Sequence, residues 1–134
     1  KEDCITQDSS GAIYSPDHLY MNGSEIFSFT QKMVPKVVNS TLFKHQLELS
    51  DIDIFIFHQA NKYMLNFLRK KIRIPEEKFY YCMSKVGNTV SSTIPIALSE
   101  AIKDNTISSK DSVLLAGFGV GYSWGGTILK FDDI

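Results

Sequence analysis

The chain has 134 residues, 43% of them hydrophobic and 22% charged, with 14 Lys and Arg against 15 Asp and Glu for a formal net charge of −1. That length holds one domain with a core of its own, no run approaches the ~18 apolar residues of a membrane span, and no signal-peptide pattern opens it. The near-neutral balance excludes bulk nucleic-acid binding, which needs a phosphate-neutralising excess of Lys and Arg.

Residues 1–16, "KEDCITQDSSGAIYSP", carry no initiating Met and read as a polar leading loop, so the chain is expected to be part of a longer protein with its domain over 17–134. Cys4 and Cys82 are far apart and form neither a CxxC pair nor a metal framework, which suits a reducing cytoplasm and no metal. After the Ser15-Pro16-Asp17 turn, residues 18–21 form a short candidate strand. Asn22 with Glu25 three positions on reads as a capping box. Behind it Ile26, Thr30, Met33, Val34, Val37, Thr41 and Leu42 recur at three- and four-residue intervals, one apolar face of a helix. Pro35 inside that helix should kink it.

Residues 51–57 alternate and then become wholly apolar, as a buried central strand does. A second helix is expected over 61–73, with Asn61, Leu65, Leu68 and Ile72 on one side and Lys62, Asn66, Arg69 and Arg73 on the other, stopped by Pro75. Residues 79–83 read as the next strand, entering a polar loop over 84–88. Residues 90–103 follow as a helix rich in small side chains, with Pro95 near its first turn or bending it. Strands over 112–118 and 127–131 close the chain, joined by "GVGYSWGG". This order predicts an α/β domain with a five-stranded mixed sheet flanked by helices.

The run of apolar residues ends abruptly in "FHQANKYM". His58 follows the second strand and Asn88 the third, and in α/β sheets ligands collect outside the carboxyl ends of strands. If the two strands are parallel neighbours, both side chains emerge at one edge, where the glycine-rich loop after Phe118 offers amide donors and close backbone approach. A His donor, an Asn donor and free amides there can stabilise an enolate or a tetrahedral oxyanion. Taken alone, a His or Asn at a loop is far more often structural than catalytic, and a glycine cluster more often a tight hairpin.

The motifs "HQAN", "GNTVSSTIPIAL" and "GFGVGYSWGG", in this order and spacing, resemble the C-terminal half of 3-oxoacyl-acyl-carrier-protein synthase III (beta-ketoacyl synthase III), and "MNGSEIF" and "IPEEK" also fit. The resemblance covers about residues 21–131. It implies half of a thiolase-like fold, in which two similar α/β halves pack into five layers around a Cys-His-Asn site. It further implies a cytoplasmic acyltransferase of fatty acid biosynthesis. In that family an acyl-CoA acylates the Cys, and malonyl-acyl-carrier protein is then decarboxylated and condensed. His58 matches the family's catalytic His and Asn88 its catalytic Asn; Asn61, Gly119, Val120 and Gly121 match the substrate-lining stretches. No cofactor is implied, acyl-CoA and malonyl-acyl-carrier protein being substrates.

Two positions depart from the family pattern. Val120 stands where a glycine is usual, and Tyr63 where an Arg associated with carrier-protein docking is frequent; Lys62, Arg69, Lys70 and Arg73 could supply positive surface instead, or form a solvated helix face. The nucleophilic Cys belongs to the missing N-terminal half, so the chain alone is expected to be inactive and Cys82 to be buried. The partners implied are acyl carrier protein, acyl-CoA, that missing half and a second copy of the chain through the 90–103 helix, with no nucleic acid or membrane. The alternatives are a specialised thiolase-like synthase of secondary metabolism and a non-catalytic thiolase-like partner subunit.

Overall fold

The computed structural model describes residues 5–15 and 21–132, Tyr14 and Val120 by their backbone alone. Cys4 and, apart from Met21, the strand expected over 18–21 lie outside them. The leading segment is more ordered in its pairing than a loop. Thr6–Gln7 (β1) and Ile13–Tyr14 (β2) form a small antiparallel ribbon. The Asp8 carboxylate closes its turn, accepting from the amides of Ser10 at 2.8 Å and Ala12 at 3.1 Å.

Helix α1 runs from Gly23 to His45, and it starts where Asn22 accepts from the amide of Glu25 at 3.2 Å. The reciprocal half of the expected capping box gives way to another bond, since the Glu25 carboxylate accepts from the Tyr122 hydroxyl at 3.3 Å. The helix continues through Pro35, whose ring removes one amide donor without ending it. Thr30, Val34, Val37, Val38, Thr41 and Leu42 bury the apolar face read from the sequence. Gln46 ends the helix in the left-handed conformation, returning its amide to Leu42 and Phe43.

Ile54–Phe57 (β3) is buried at every position. Lys62–Ile72 (α2) begins behind Asn61, whose Oδ1 accepts from the amide of Met64 at 2.8 Å. One turn of helix, Met83–Val86 (α3), and a 3-10 turn over Val90–Ser92 precede Thr93–Lys103 (α4), with Pro95 in its first turn, where a missing amide costs nothing. Ser112–Gly119 (β4) and Ser123–Lys130 (β5) end the fold.

β3 pairs parallel with β4, and β4 antiparallel with β5, so the sheet is mixed, as expected. Among the described residues it has three strands rather than five. The segment read as a strand over 79–83 contributes a single bridged residue, Phe79 beside Phe55. After Tyr80 donates its amide to Phe55 at 3.0 Å, the next ladder position is taken by a side chain: the Cys82 amide donates to Gln59 Oε1 at 2.8 Å, and α3 begins.

The alternation of β3 divides the core. Phe55 and Phe57 meet α1 and α2 together with Leu114, Ala116 and Phe118 of β4. Ile54 and Ile56 meet Ala97 and Ala101 of α4 with Val113 and Cys82. The result is three layers, helices α1 and α2, the sheet, and α4. Gly126 lets α1 lie close on β5, since a Cβ there would stand 2.7 Å from both Thr41 Oγ1 and Val37 Cγ1. No helix among the described residues is long and apolar enough to cross a membrane.

Candidate active site

The period of two in β3 aims His58. It carries the parity of Ile54 and Ile56, so its ring faces α4, while Gln59 turns inward. The His58 amide extends the parallel ladder to Ala116 at 2.9 Å, and the Ala60 amide returns to the His58 carbonyl at 2.9 Å. Gln59, 1% exposed, holds this turn in place. Its Nε2 donates to the Phe57 carbonyl at 2.8 Å and more weakly to Tyr80 at 3.4 Å, and its Oε1 accepts from Cys82. The four residues of "HQAN" thus do different things. His58 faces the edge of the sheet, Gln59 staples two loops, Ala60 makes the turn and Asn61 caps α2.

The His58 ring is half-buried and stands edge-on to Phe118, centroids 5.4 Å apart. Burial lowers its pKa below the ordinary 6.5, so the ring is neutral at pH 7. Its Nδ1 lies 2.6 Å from the hydroxyl of Thr93, the first residue of α4, which is 2% exposed. That hydroxyl is also 3.1 Å from the carbonyl oxygen of Val90. The Val90 amide in turn donates to Asn88 Oδ1 at 2.9 Å. His58 and the Asn88 loop are therefore joined by one chain of hydrogen bonds through Thr93 and Val90. The exposed Asn88 side chain commits its oxygen to the backbone, which leaves its NH2 as the group able to donate outward. Val90 has φ 57°, a costly conformation for a β-branched residue, and it lies between the two candidate residues.

The glycine-rich stretch leaves the same edge. β4 is parallel to β3 in the register Phe57 to Ala116, so residues 119–121 begin just beyond His58. Much of "GVGYSWGG" belongs to β5 rather than to a loop, which shortens the connection to the turn Val120–Tyr122. Gly119 at φ 147° and Gly121 at φ 74° take conformations open to glycine, and the left-handed residue after them is Tyr122. Phe29 of α1 anchors the turn, with Tyr122 edge-on at 5.0 Å and Trp124 at 5.6 Å.

Other residues singled out in the sequence lie apart from this edge. Cys82 is a buried free thiol at the start of α3, not within a strand, and burial raises its pKa. Arg69 points inward, paired with Glu76 at 3.0 Å and donating to the Ile74 carbonyl at 3.2 Å, its side chain 11% exposed. Lys62, Lys70 and Arg73 are exposed on α2 and its cap. Asn61 spends its Oδ1 on the helix cap. Among the described residues no group of three or more His, Cys, Asp or Glu is placed to hold a metal ion. The sequence reading missed Thr93 and Gln59: a buried Thr at a helix start and a Gln of core parity carry signals only once the strand ends are known.

The family model described as 3-Oxoacyl-[acyl-carrier-protein (ACP)] synthase III C terminal matches residues 42–131. Beta-ketoacyl-[acyl-carrier-protein] synthase III of Microcystis aeruginosa is 37% identical over 120 residues, which cover 90% of this chain and 35% of that protein. A crystal structure of a 3-oxoacyl-(acyl-carrier-protein) synthase III superposes with a TM-score of 0.91 at 42% identity, over 98% of this chain and 40% of that one. The 3-oxoacyl-[acyl-carrier-protein] synthase III of Aquifex aeolicus gives a TM-score of 0.80 at 33% identity, over 97% of this chain and 40% of that one. The chain thus spans little more than a third of the length of its relatives.

Proposed function

Since the chain belongs to the C-terminal domain family of 3-oxoacyl-[acyl-carrier-protein] synthase III, we propose that it is the half of such an acyltransferase that supplies oxyanion donors for a decarboxylative Claisen condensation. The observation that carries this is the hydrogen-bonded chain linking His58 to the Asn88 loop, beside the turn after Gly119.

The chemistry sets the requirement. Loss of CO2 from a malonyl thioester leaves an enolate whose oxygen carries charge, and each preorganised donor aimed at that oxygen is worth about 3 kcal/mol of barrier. A neutral imidazole with a proton on Nε2 and the Asn88 NH2 meet that need without ionising. The amides of residues 119–121 suit the second oxyanion, formed when the enolate attacks the acyl thioester, with Gly119, Val120 and Gly121 lining the acyl group. Asn61 retains its NH2 for a substrate contact.

The nucleophile lies in a complementary half, to which acyl-CoA delivers its acyl group. Lys62, Lys70 and Arg73 give the acidic acyl carrier protein a positive surface, whereas Arg69 is engaged by Glu76. The substrates are acyl-CoA and malonyl-acyl-carrier protein with no further cofactor, and the reaction is cytoplasmic. A second copy of the chain meets the α4 face under two-fold symmetry.

Assays with and without the nucleophile-bearing half test the reading. Joined to it in one polypeptide, the chain should give a 3-oxoacyl product from acyl-CoA and malonyl-acyl-carrier protein. The chain alone should give none, and Cys82 should stay unacylated at pH 7 to 8, because burial holds it as the thiol. Turnover by the chain alone that Cys82→Ala abolishes would overturn the assignment.

A further inference from the structure

The partner of a histidine's Nδ1 decides what its Nε2 can do. A backbone carbonyl or a carboxylate there accepts only, and fixes the proton on Nδ1. A backbone amide donates only, and fixes it on Nε2. The partner of His58 is a hydroxyl, which can do either but has a single proton to give.

Two arrangements are open to Thr93. In the first, its hydroxyl donates to the Val90 carbonyl at 3.1 Å and accepts Nδ1–H at 2.6 Å, so two hydrogen bonds form and Nε2 carries a bare lone pair. In the second, the hydroxyl turns to Nδ1, so Nε2 carries the proton, and the Val90 carbonyl loses the hydroxyl. The Val90 amide cannot compete for Nδ1, because it is spent on Asn88 Oδ1 at 2.9 Å. Thr93 is 2% exposed, so water does not readily replace the bond the second arrangement gives up.

We propose that Thr93 is a positioning residue that holds resting His58 in the Nδ1–H tautomer, with Nε2 an acceptor toward the sheet edge, and lets it change to the Nε2–H tautomer when an anionic oxygen arrives. The inference rests on the functional reading of His58 given above, and deepens it. The resting ring can accept a hydrogen bond from a thiol. The change relocates one proton: Nε2 takes a proton from water at the sheet edge, the Nδ1 proton is released to water, and the ring is neutral before and after. An enolate at Nε2 then supplies the interaction that outweighs the lost hydroxyl bond to Val90, and rotation of one hydroxyl keeps Nδ1 paired in both states. The ring serves both roles in neutral forms, an imidazolium arising only in passing between them.

The tautomer is readable from nitrogen shifts of the 15N-histidine-labelled chain at pH 7.5, with His58 assigned by His18→Gln and His45→Gln. The wild type should show a protonated Nδ1 and a bare Nε2. Thr93→Val, equal in shape but without the hydroxyl, should move the proton to Nε2, the nitrogen that a free histidine side chain favours. Thr93→Ser should restore the wild-type pattern. A wild-type ring protonated on Nε2, or a Thr93→Val spectrum that keeps the proton on Nδ1, would overturn the proposal. If Thr93→Val does not fold, the wild-type tautomer decides alone. Absence of condensation with Nδ1–H in place counts against the functional reading; condensation with Nε2–H at rest counts against this inference.

Discussion

At the scale of single residues, the site depends on side chains that hold the candidate donors as much as on the donors themselves. Gln59 is the clearest case: both ends of a buried amide are engaged, and its Oε1 satisfies the Cys82 amide that would otherwise pair in a strand. Gln59→Ala should cost about 2–4 kcal/mol, from an orphaned buried amide together with a cavity. Urea unfolding of the two chains measures it, and a loss under ~1 kcal/mol would mean that water or a shifted loop replaces the staple. His58 and Asn88 were legible as candidates because polar residues at the mouths of apolar segments stand out. Thr93 was not, since the bond that matters joins residues 35 apart in sequence.

At the scale of elements, periodicity located α1, β3, α2 and α4 because one buried face repeats at a fixed spacing. It failed for residues 79–83, where apolar side chains are buried by α4 and α2 without a full strand ladder. It also divided the glycine-rich stretch in the wrong place, because glycines at 125 and 126 continue β5 rather than end it. One of them has a packing cause. Gly126→Ala should cost about 1–3 kcal/mol by pushing α1 off the sheet, since its Cβ would meet Thr41, Val37 and, at 3.3 Å, the Leu115 carbonyl. Gly125→Ala, with nothing within 4 Å of the added carbon, should change the unfolding midpoint little. Equal effects of the two would show that backbone conformation, not contact, governs the strand.

At the scale of the whole molecule, α4 carries apolar surface that the sheet does not cover. Ala97 and Ala101 seat α4 on the sheet, while Ile94, Leu98 and Ile102 stay half-buried and Val90 is 64% exposed. Apolar surface of this kind finds a partner, so light scattering at micromolar concentration should return a dimer that Leu98→Lys converts to monomer; a monomeric wild type would contradict the pairing. With the nucleophile-bearing half present, decarboxylation of malonyl-acyl-carrier protein and acylation of the nucleophile by acyl-CoA can be followed separately. His58→Ala and Asn88→Ala should each slow decarboxylation by about 10²–10³-fold and leave acylation far less affected, because the enolate forms only in the first of these steps. Equal losses in both steps, or a decarboxylation rate unmoved by either substitution, would contradict their role as oxyanion donors.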